Sequence, residues 1–276
     1  MTKKKQEKAG WINGHWGVFK DLKLPINDRG LNFGDGIFET ILILNGTPQL
    51  LNEHLNRWEK SAHILEMNPP PSNEWLSSLI EDGIKRSKLN NKNGVIRLNW
   101  TRGVSNKRGI DISKTSLHNF WLEIDCYEPN FESISTIISQ TERRNTFSKL
   151  SSCKTFSYNQ AIQARLEAKK AGFDDALLLN TQGNMCCGTT ANIFIKRDGE
   201  WLTPSLKSGC LPGVMRQRGL DLNIIKEIII KEIPEEGDEW LLVNSLGCHP
   251  IKTINTKKIH MSTNPKELWL SLLTSQ

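Results

Sequence analysis

The stretch GIFETILILNGTPQLLNEHLNRWEKSAHILEM, residues 36–67, joins two apolar patterns of different period. Gly36–Leu44 is rich in isoleucine and predicts a β-strand, and Asn45-Gly46 after it is a strong signal for a hairpin turn. The residues that follow predict an amphipathic helix, because apolar side chains recur at helical spacing: Leu51, Leu55, Trp58, Ala62 and Leu65. A strand that is followed closely by a helix favours an α/β or α+β fold.

The rest of the first half continues this mixture of helices and strands. Three prolines at 69–71 break the chain, and Ser72 caps a second predicted helix that extends to about Leu89. The segments GVIRLNW and FWLEIDCY predict two further strands, joined by a polar loop over residues 101–118.

The second half alternates between strands and helices in the same irregular way. SISTIISQT, ALLLN, IIKEIII and EWLLVNS predict strands, and ANIFIKRDGEWLTP predicts a hairpin that turns at Asp198-Gly199. A helix is predicted over about 158–171, with Gly172 as its left-handed cap. Pro212 marks the start of another helix, and Asn264-Pro265 opens the last one.

A chain of 276 residues is long enough for two domains, each with its own core. We expect an α/β (α+β) protein with a disordered basic tail at 1–10, a small N-terminal domain at 11–128 and a larger C-terminal domain at 133–276. The segment around Pro129 is the expected linker.

Composition argues against several classes of partner. The excess of 36 lysines and arginines over 30 acidic residues is modest, and part of it lies in the tail, so nucleic acid is not an expected partner. No apolar run approaches the roughly 20 residues that span a bilayer, and no signal-peptide pattern follows Met1. We therefore expect a cytoplasmic protein with a small-molecule substrate and no membrane partner.

The six cysteines do not predict a metal site or a disulfide framework. None has a partner at zinc-ligand spacing, and a reducing compartment disfavours disulfides. The adjacent Cys186 and Cys187 are expected to point to opposite faces of a strand, which makes them a poor chelate. We interpret the cysteines as small buried apolar residues and expect no metal.

Among the many lysines, Lys154 has an unusual setting. It precedes a predicted helix and is flanked by Ser152, Cys153 and Phe156 rather than by other charges. A lysine in a partly desolvated pocket has a lowered pKa and can form a Schiff base. The alternative is an ordinary lysine at the end of a strand.

Six motifs follow one another in an order that resembles a known family. They are DRGLNFGDGIFETI, EHLNRW, TRG, K-x-x-x-Y, G-x-x-x-x-G-x-x-x-N-I-F and TP-x-L-x-x-G-x-LPG-x-x-R. This order is similar to that of the class IV, fold-type IV pyridoxal phosphate enzymes, from about Trp11 to Ile251. The resemblance implies a two-domain, homodimeric enzyme with pyridoxal 5′-phosphate between its domains.

The resemblance also implies roles for particular residues. Lys154 matches the lysine that forms the Schiff base and acts as general acid and base. Arg57 in HLNRW matches the ligand of the cofactor phosphate, which a guanidinium can bind through two hydrogen bonds. The backbone N–H groups of a helix start at LPGVMR would bind the same anion. The further implied cofactor contacts are Tyr158, Val214, Met215, Asn244 and Ser245.

Within the family, two features resemble aminodeoxychorismate lyases. Arg108, in WTRGVSNKRGIDI, matches the position of a substrate-carboxylate ligand, although the spacing of the motif is one residue longer here. Thr40 matches a threonine that assists proton transfer. The implied reaction converts 4-amino-4-deoxychorismate to 4-aminobenzoate and pyruvate, in folate biosynthesis. A branched-chain or D-amino acid aminotransferase is the alternative activity.

The stretch GNMCCGTTANIF departs from the family at one position. The family places a glutamate where Cys187 stands, so that its carboxylate pairs with the protonated pyridine nitrogen. No acidic residue lies between Asp175 and Asp198 to replace it. A neutral thiol weakens the electron sink that transamination needs, which favours lyase chemistry. It equally permits a degenerate, non-catalytic homologue.

Overall fold

The computed structural model describes residues 9–105, 108–112, 117–231 and 234–274. The chain divides into two compact units. The first unit is Met1–Glu128 with Lys154–Ser157, and the second unit is Pro129–Cys153 with Tyr158–Gln276. Residues 154–157, which the sequence assigned to the C-terminal domain, therefore pack with the first unit.

The first unit is built on an antiparallel sheet with the strand order β2-β1-β6-β5-β3-β4. Its strands are β1 (Ala9–Ile12), β2 (His15–Val18), β3 (Gly36–Leu44), β4 (Thr47–Pro48), β5 (Gly94–Thr101) and β6 (Asn119–Cys126). Its helices are α1 (Arg29–Phe33), α2 (Leu51–Ile64) and α3 (Asn73–Arg86).

The N-terminal boundary of the first unit differs from the expectation. The expected tail included Ala9 and Gly10, but both belong to β1 and pair with β2 and β6, so their backbone groups are satisfied in the sheet. Residues 1–8 of that tail lie outside the described residues.

The hairpin and helix predicted from residues 36–67 are confirmed. Asn45 and Gly46 have φ of 48° and 81°, the left-handed pair of a tight hairpin turn between β3 and β4. The apolar stripe of α2 packs on one face of the sheet, where Leu55, Trp58 and Ala62 join the core. Ser72 caps α3 by accepting a hydrogen bond from the Trp75 N–H.

The alternation of side chains along β3 shows which residues lie on each face of this sheet. Ile37, Ile41 and Ile43 lie in the core under α2, on what we call the core face. Phe38 and Thr40 alternate with them and so lie on the opposite face, which we call the open face.

The second unit is built on a mixed sheet with the strand order β12-β11-β10-β13-β14-β7-β8-β9, and β15 pairs with β14. Its strands are β7 (Ile134–Arg144), β8 (Asp175–Asn180), β9 (Met185–Gly188), β10 (Asn192–Arg197), β11 (Glu200–Pro204), β12 (Ile225–Ile228), β13 (Glu239–Asn244), β14 (Gly247–Ile254) and β15 (Lys257–Lys258). Its helices are α4 (Asn159–Lys170), α5 (Val214–Asp221) and α6 (Pro265–Ser271).

The helices of the second unit follow their sequence signals closely. Gly172 follows α4 with φ of 81°, and Asn264 caps α6 with its side chain. Helix α5 begins at Val214 rather than at Pro212, because Gly213 is still extended (φ −66°, ψ 142°) and serves as the N-cap. None of the helices in the described ranges is long and apolar enough to cross a membrane.

The prediction that Cys186 and Cys187 point to opposite faces is wrong. The pairing of β9 with β8 passes from Leu178–Cys187 directly to Leu179–Met185, so Cys186 is the extra residue of a β-bulge. A bulge interrupts the alternation of side chains and can aim neighbouring residues the same way. Both thiols accordingly lie in one apolar cluster with Leu178.

Candidate active site

The backbone around Lys154 extends the sheet of the first unit. The Phe38 N–H donates to the Lys154 carbonyl at 2.9 Å, and the Phe156 N–H donates to the Gly36 carbonyl at 3.0 Å. These bonds satisfy the edge of β3, which explains why residues 154–157 pack there. They also fix the backbone from which the Lys154 side chain extends.

Aromatic rings surround the half-buried Lys154. Its Nζ lies 4.5 Å from the centroid of the buried Phe38 ring. The Phe156 ring lies 6.0 Å from that of Phe38 and 5.7 Å from that of Trp121. The sequence predicts apolar rather than charged neighbours for Lys154, and these rings agree with that prediction. A second cation, which the prediction did not include, also lies close to Lys154.

That second cation, Arg97, was missed by the sequence reasoning. Its guanidinium carbon lies 3.7 Å from the centroid of Phe38, and its Nε donates to Asn99 Oδ1 at 2.8 Å. Arg97 on β5 pairs in register with Thr40 on β3, so both belong to the open face. The signal was the alternation in GVIRLNW, where polar Arg97 and Asn99 interleave with core residues.

On the core face, an ion-pair network holds Arg57. Glu39, which is fully buried, accepts hydrogen bonds from Arg57 Nε at 2.8 Å and Arg57 Nη2 at 2.6 Å. The Nδ1 atom of His54 lies 2.7 Å from Glu39 Oε2. Because Glu39 engages two nitrogens of the guanidinium, Arg57 is held in one orientation on α2.

Electrostatics keep Glu39 ionised in this network. Burial raises the pKa of Glu39, but the Arg57 charge and the hydrogen bonds from His54 and Arg57 outweigh burial and lower it to about 2. Burial is also the main reason why the pKa of His54 is lowered, against the opposing effect of Glu39. Lys154 is close enough to His54 to lower that pKa further.

The two remaining predicted residues of the first unit differ in their exposure. Thr40 is half-buried on the open face, whereas Arg108 is exposed and has no hydrogen bond or ion pair with other described residues. The loop that carries Arg108 is tied at Ile110 and Asp111, whose carbonyls accept hydrogen bonds from the buried Arg29. This arrangement leaves the Arg108 side chain at the surface of a partly anchored loop.

In the second unit, the start of α5 has the features of an anion site. No side chain caps this helix at Gly213. A Cβ on Gly213 would lie 2.0 Å from Asn192 Oδ1, so only glycine fits against that side chain. Asn192 in turn donates to the Leu211 carbonyl at 2.9 Å and fixes the approach to the helix. The N–H groups of Val214 and Met215 open a helix of eight residues, where the dipole favours an anion.

The other predicted residues of the second unit have local roles. Asn244 Nδ2 donates to the Thr190 carbonyl at 3.4 Å, and its Oδ1 accepts from the Leu246 N–H at 2.8 Å, so it ties the turn after β9 to the end of β13. Ser245 follows in the turn between β13 and β14, and the half-buried Tyr158 is the N-cap residue of α4.

Cys187 lies in an apolar environment in the second unit. It is 8% exposed and packs in the cluster of Leu178 and the α4 residues Ala164 and Ala168. The nearby acid Asp175 is occupied by Arg165, whose Nη2 lies 2.7 Å from Asp175 Oδ2. The position therefore holds a thiol among apolar side chains.

The family model described as amino-transferase class IV matches residues 36–254. A putative branched-chain-amino-acid aminotransferase of Methanocaldococcus jannaschii is 31% identical, over 88% of this chain and 80% of its own length. The aminodeoxychorismate lyase of Bacillus subtilis is 26% identical, over 75% of this chain and 71% of its own length.

Solved structures share the fold. A hypothetical aminotransferase from Mycobacterium tuberculosis, which was solved in its PLP-bound form, superposes with a TM-score of 0.82 at 18% identity. That match covers 96% of this chain and 97% of the solved one. The two-unit α/β architecture is thus that of fold-type IV aminotransferases.

Proposed function

This chain belongs to the class IV aminotransferase family, and on that premise we propose that it is an aminodeoxychorismate lyase. Its cofactor is pyridoxal 5′-phosphate. The proposed reaction converts 4-amino-4-deoxychorismate to 4-aminobenzoate and pyruvate, and belongs to folate biosynthesis.

The residues present fit the cofactor. Lys154 offers an amine on a fixed backbone, and the start of α5, which no side chain caps, offers backbone donors to a phosphate. Arg57, held in one orientation by Glu39, would add a guanidinium to the phosphate ligands. When bound, pyridoxal phosphate supplies an aldehyde that bonds to amines and a ring that accepts electrons.

The remaining roles concern the substrate. Lys154 would remove the proton from the ring carbon that bears the amine and donate a proton to the departing enolpyruvate, which becomes pyruvate. Thr40, on the open face with Phe38, would assist that transfer. The substrate carries two carboxylates, and we propose that Arg97, beside the same phenylalanine as Lys154, binds one of them and that the loop residue Arg108 binds the other.

The buried thiol of Cys187 is the observation that favours a lyase over a transaminase. Cys187 lies among apolar side chains, a thiol is a weak hydrogen-bond donor, and it is not the carboxylate that the resemblance implies beside the cofactor ring. Transamination depends throughout on that ring as an electron acceptor. In the lyase reaction, loss of enolpyruvate makes the substrate ring aromatic. Aromatisation therefore drives the reaction, and less electron withdrawal by the cofactor is needed.

An amino acid aminotransferase is the second candidate function. It is favoured by the 31% identity to the putative branched-chain aminotransferase of Methanocaldococcus jannaschii. The two candidates share Lys154, Arg57 and the cofactor, and differ in the reacting substrate.

Direct assay of both reactions tests the proposal. Purified protein with added pyridoxal phosphate should form 4-aminobenzoate and pyruvate from 4-amino-4-deoxychorismate, and Lys154→Ala should abolish this activity. Borohydride reduction followed by peptide mapping should label Lys154. Labelling of another lysine would reject the assignment.

The same preparation should be assayed with branched-chain and D-amino acids and 2-oxo acids. A transaminase rate above the lyase rate would favour the second candidate. Cofactor binding without either reaction would indicate a non-catalytic homologue, the third possibility that Cys187 permits.

We also propose that the enzyme is a cytoplasmic homodimer. Large apolar side chains of the first unit are exposed, among them Ile26 at 85%, Leu31 at 64% and Ile110 at 77%, and such surface is typical of an interface. Size-exclusion chromatography with light scattering measures the mass directly. A monomer at micromolar concentration would contradict this part of the proposal.

A further inference from the structure

Three buried thiols of the second unit lie together, and we call Cys186, Cys187 and Cys210 the thiol cluster. They are 0%, 8% and 2% exposed. The bulge in β9 turns Cys186 toward the side of Cys187, and Cys210 joins them from the loop between β11 and α5. All three side chains belong to the same cluster of buried residues, together with Leu178 of β8 and Ala164 of α4. This proximity comes from the fold, since Cys210 is distant in sequence.

A buried guanidinium lies next to the thiol cluster. Arg216 on α5 is 1% exposed, and its Nη2 donates to the Pro204 carbonyl at 2.9 Å and pairs with Glu227. The Cys210 thiol lies 3.7 Å from the same Pro204 carbonyl and 3.7 Å from that of Ser205. One backbone carbonyl therefore joins the arginine and the cysteine.

Two of the nitrogen donors of Arg216 are not used in these contacts. Its Nε and Nη1 are buried and have no hydrogen-bond partner among the described residues. A guanidinium stays protonated in proteins, and leaving its donors unpaired is costly. A thiolate at Cys210 would reduce that cost, because it would bring a negative charge next to the cation.

The surroundings favour thiolate formation at Cys210 and disfavour it at Cys186. The hydrogen bond from Cys186 and the charge of Arg216 lower the pKa of Cys210, against burial and Glu227, which raise it. Hydrogen bonds to both neighbouring thiols and burial raise the pKa of Cys186. By contrast, Cys248 is buried without such partners, and burial raises its pKa to about 12.

We propose that Cys210 and Cys186 form a redox-sensitive dithiol that a hydroperoxide converts to a disulfide. The Cys210 thiolate attacks the peroxide, the O–O bond breaks, and Cys210 becomes a sulfenic acid while the peroxide is reduced and leaves as hydroxide or alkoxide. The Cys186 thiol then attacks the sulfenic sulfur, the S–S bond forms and water leaves. Two electrons pass from the two thiols to the peroxide.

Closing this bond would constrain the strand that carries Cys187. Cys186 is the bulge residue and precedes Cys187 directly. A disulfide from Cys186 to Cys210, in the loop between β11 and α5, would therefore change the geometry of the bulge. This consequence rests on the proposed function, in which Cys187 occupies the position of the family acid. The oxidised enzyme should then lose activity several-fold and regain it with dithiothreitol.

Thiol titration after treatment with hydrogen peroxide tests the dithiol without reference to activity. In denaturant, the reduced wild type should titrate six thiols, one for each cysteine, and the oxidised protein two fewer. Peptide mapping should locate the new bond between Cys186 and Cys210. Cys248→Ala is the matched control, because it removes a buried thiol that the cluster does not use, and it should still lose two thiols.

Cys210→Ala should lose no thiol to peroxide, and Cys186→Ala should lose only one, because no disulfide forms between the two positions. In Cys186→Ala, Cys210 should instead be trapped as a sulfenic acid by dimedone. An unchanged thiol count in peroxide-treated wild type would overturn the proposal, and so would a bond that maps to Cys126 or to Cys186–Cys187. If the disulfide forms without any change in the lyase or transaminase rate, the proposed dithiol stands and its proposed effect on Cys187 is rejected.

Discussion

Cys187 stands where the resemblance to class IV enzymes implies a glutamate, and in the structure it lies among apolar side chains. Cys187→Glu places a carboxylate among Leu178, Ala164 and Ala168. If the position faces the cofactor ring, the acid should strengthen electron withdrawal, so transaminase side activity should rise while the lyase rate changes less. Parallel assays of both reactions measure this partitioning.

Two outcomes of the Cys187→Glu experiment would contradict this prediction. Loss of cofactor binding would mean that the cluster has no room for a carboxylate. Unchanged partitioning would make Cys187 a packing residue. Cys187→Ala serves as the control, since it removes the thiol without adding charge and should behave as the wild type does.

Arg97 and Arg108, the two proposed ligands of the substrate carboxylates, are held in different ways. Arg97 is stacked on Phe38 and bonded to Asn99, whereas Arg108 is exposed on a loop. Arg97→Gln should lower kcat/KM for 4-amino-4-deoxychorismate by roughly tenfold to a hundredfold, the range for losing a hydrogen bond to a charged group. The absorption spectrum of the bound cofactor should stay the same.

Arg108→Ala should act in the same direction if the loop closes on the substrate's second carboxylate. A full lyase rate in Arg108→Ala would leave Arg108 as a solvated loop residue. A full rate in Arg97→Gln would remove Arg97 from the proposed site and confine its role to packing on Phe38.

At the scale of elements, Glu39 joins β3 to α2. Replacing it with glutamine leaves the Arg57 cation without its buried partner, so Glu39→Gln should lower the free energy of unfolding by about 3 kcal/mol at neutral pH. Asp82→Asn is the matched control, because the Asp82–Arg86 pair on α3 is exposed and should change stability by less than about 1 kcal/mol. Urea unfolding measures both.

The Glu39 network also predicts how stability depends on pH. The folded pKa of about 2 lies below the reference value of 4.5, so the stabilisation is complete above about pH 4.5 and is lost as pH falls toward 2. Other carboxylates, including Glu239 with a pKa of about 2, add to the acid sensitivity. The difference between wild type and Glu39→Gln should therefore shrink between pH 4.5 and 2. A difference that is independent of pH would refute the ionised state.

At the scale of the whole molecule, cofactor binding and stability are linked. A cofactor at 100 times its dissociation constant stabilises the folded state by about 2.7 kcal/mol, or roughly 5 to 10 °C in Tm. Arg57→Ala should weaken binding by roughly tenfold to a few hundredfold and so reduce this shift to a few degrees or less.

The shift for Arg57→Ala is measured as the Tm with cofactor minus the Tm without it, within the same variant. This difference cancels the destabilisation that comes from leaving Glu39 unpaired. An undiminished shift would mean that Arg57 has a structural role on α2 and that the phosphate is bound elsewhere.

The sequence determined the local elements of this protein. Asn45-Gly46, Ser72, Gly172 and Asn264 act through neighbouring backbone groups, so their turns and caps could be predicted from short-range chemistry. The ordered motifs likewise identified the family and the cofactor, because residue identity and spacing carry that information. Those signals need no knowledge of which strands pair.

Only the tertiary structure decided which side chains meet. Glu39 lies on the core face and binds Arg57, and Arg97 stacks beside Lys154, because strand pairing joins residues that are far apart in sequence. The bulge that aligns Cys186 with Cys187 overrides the alternation that a regular strand predicts. Register and bulges arise from long-range backbone hydrogen bonds, which a local pattern does not encode.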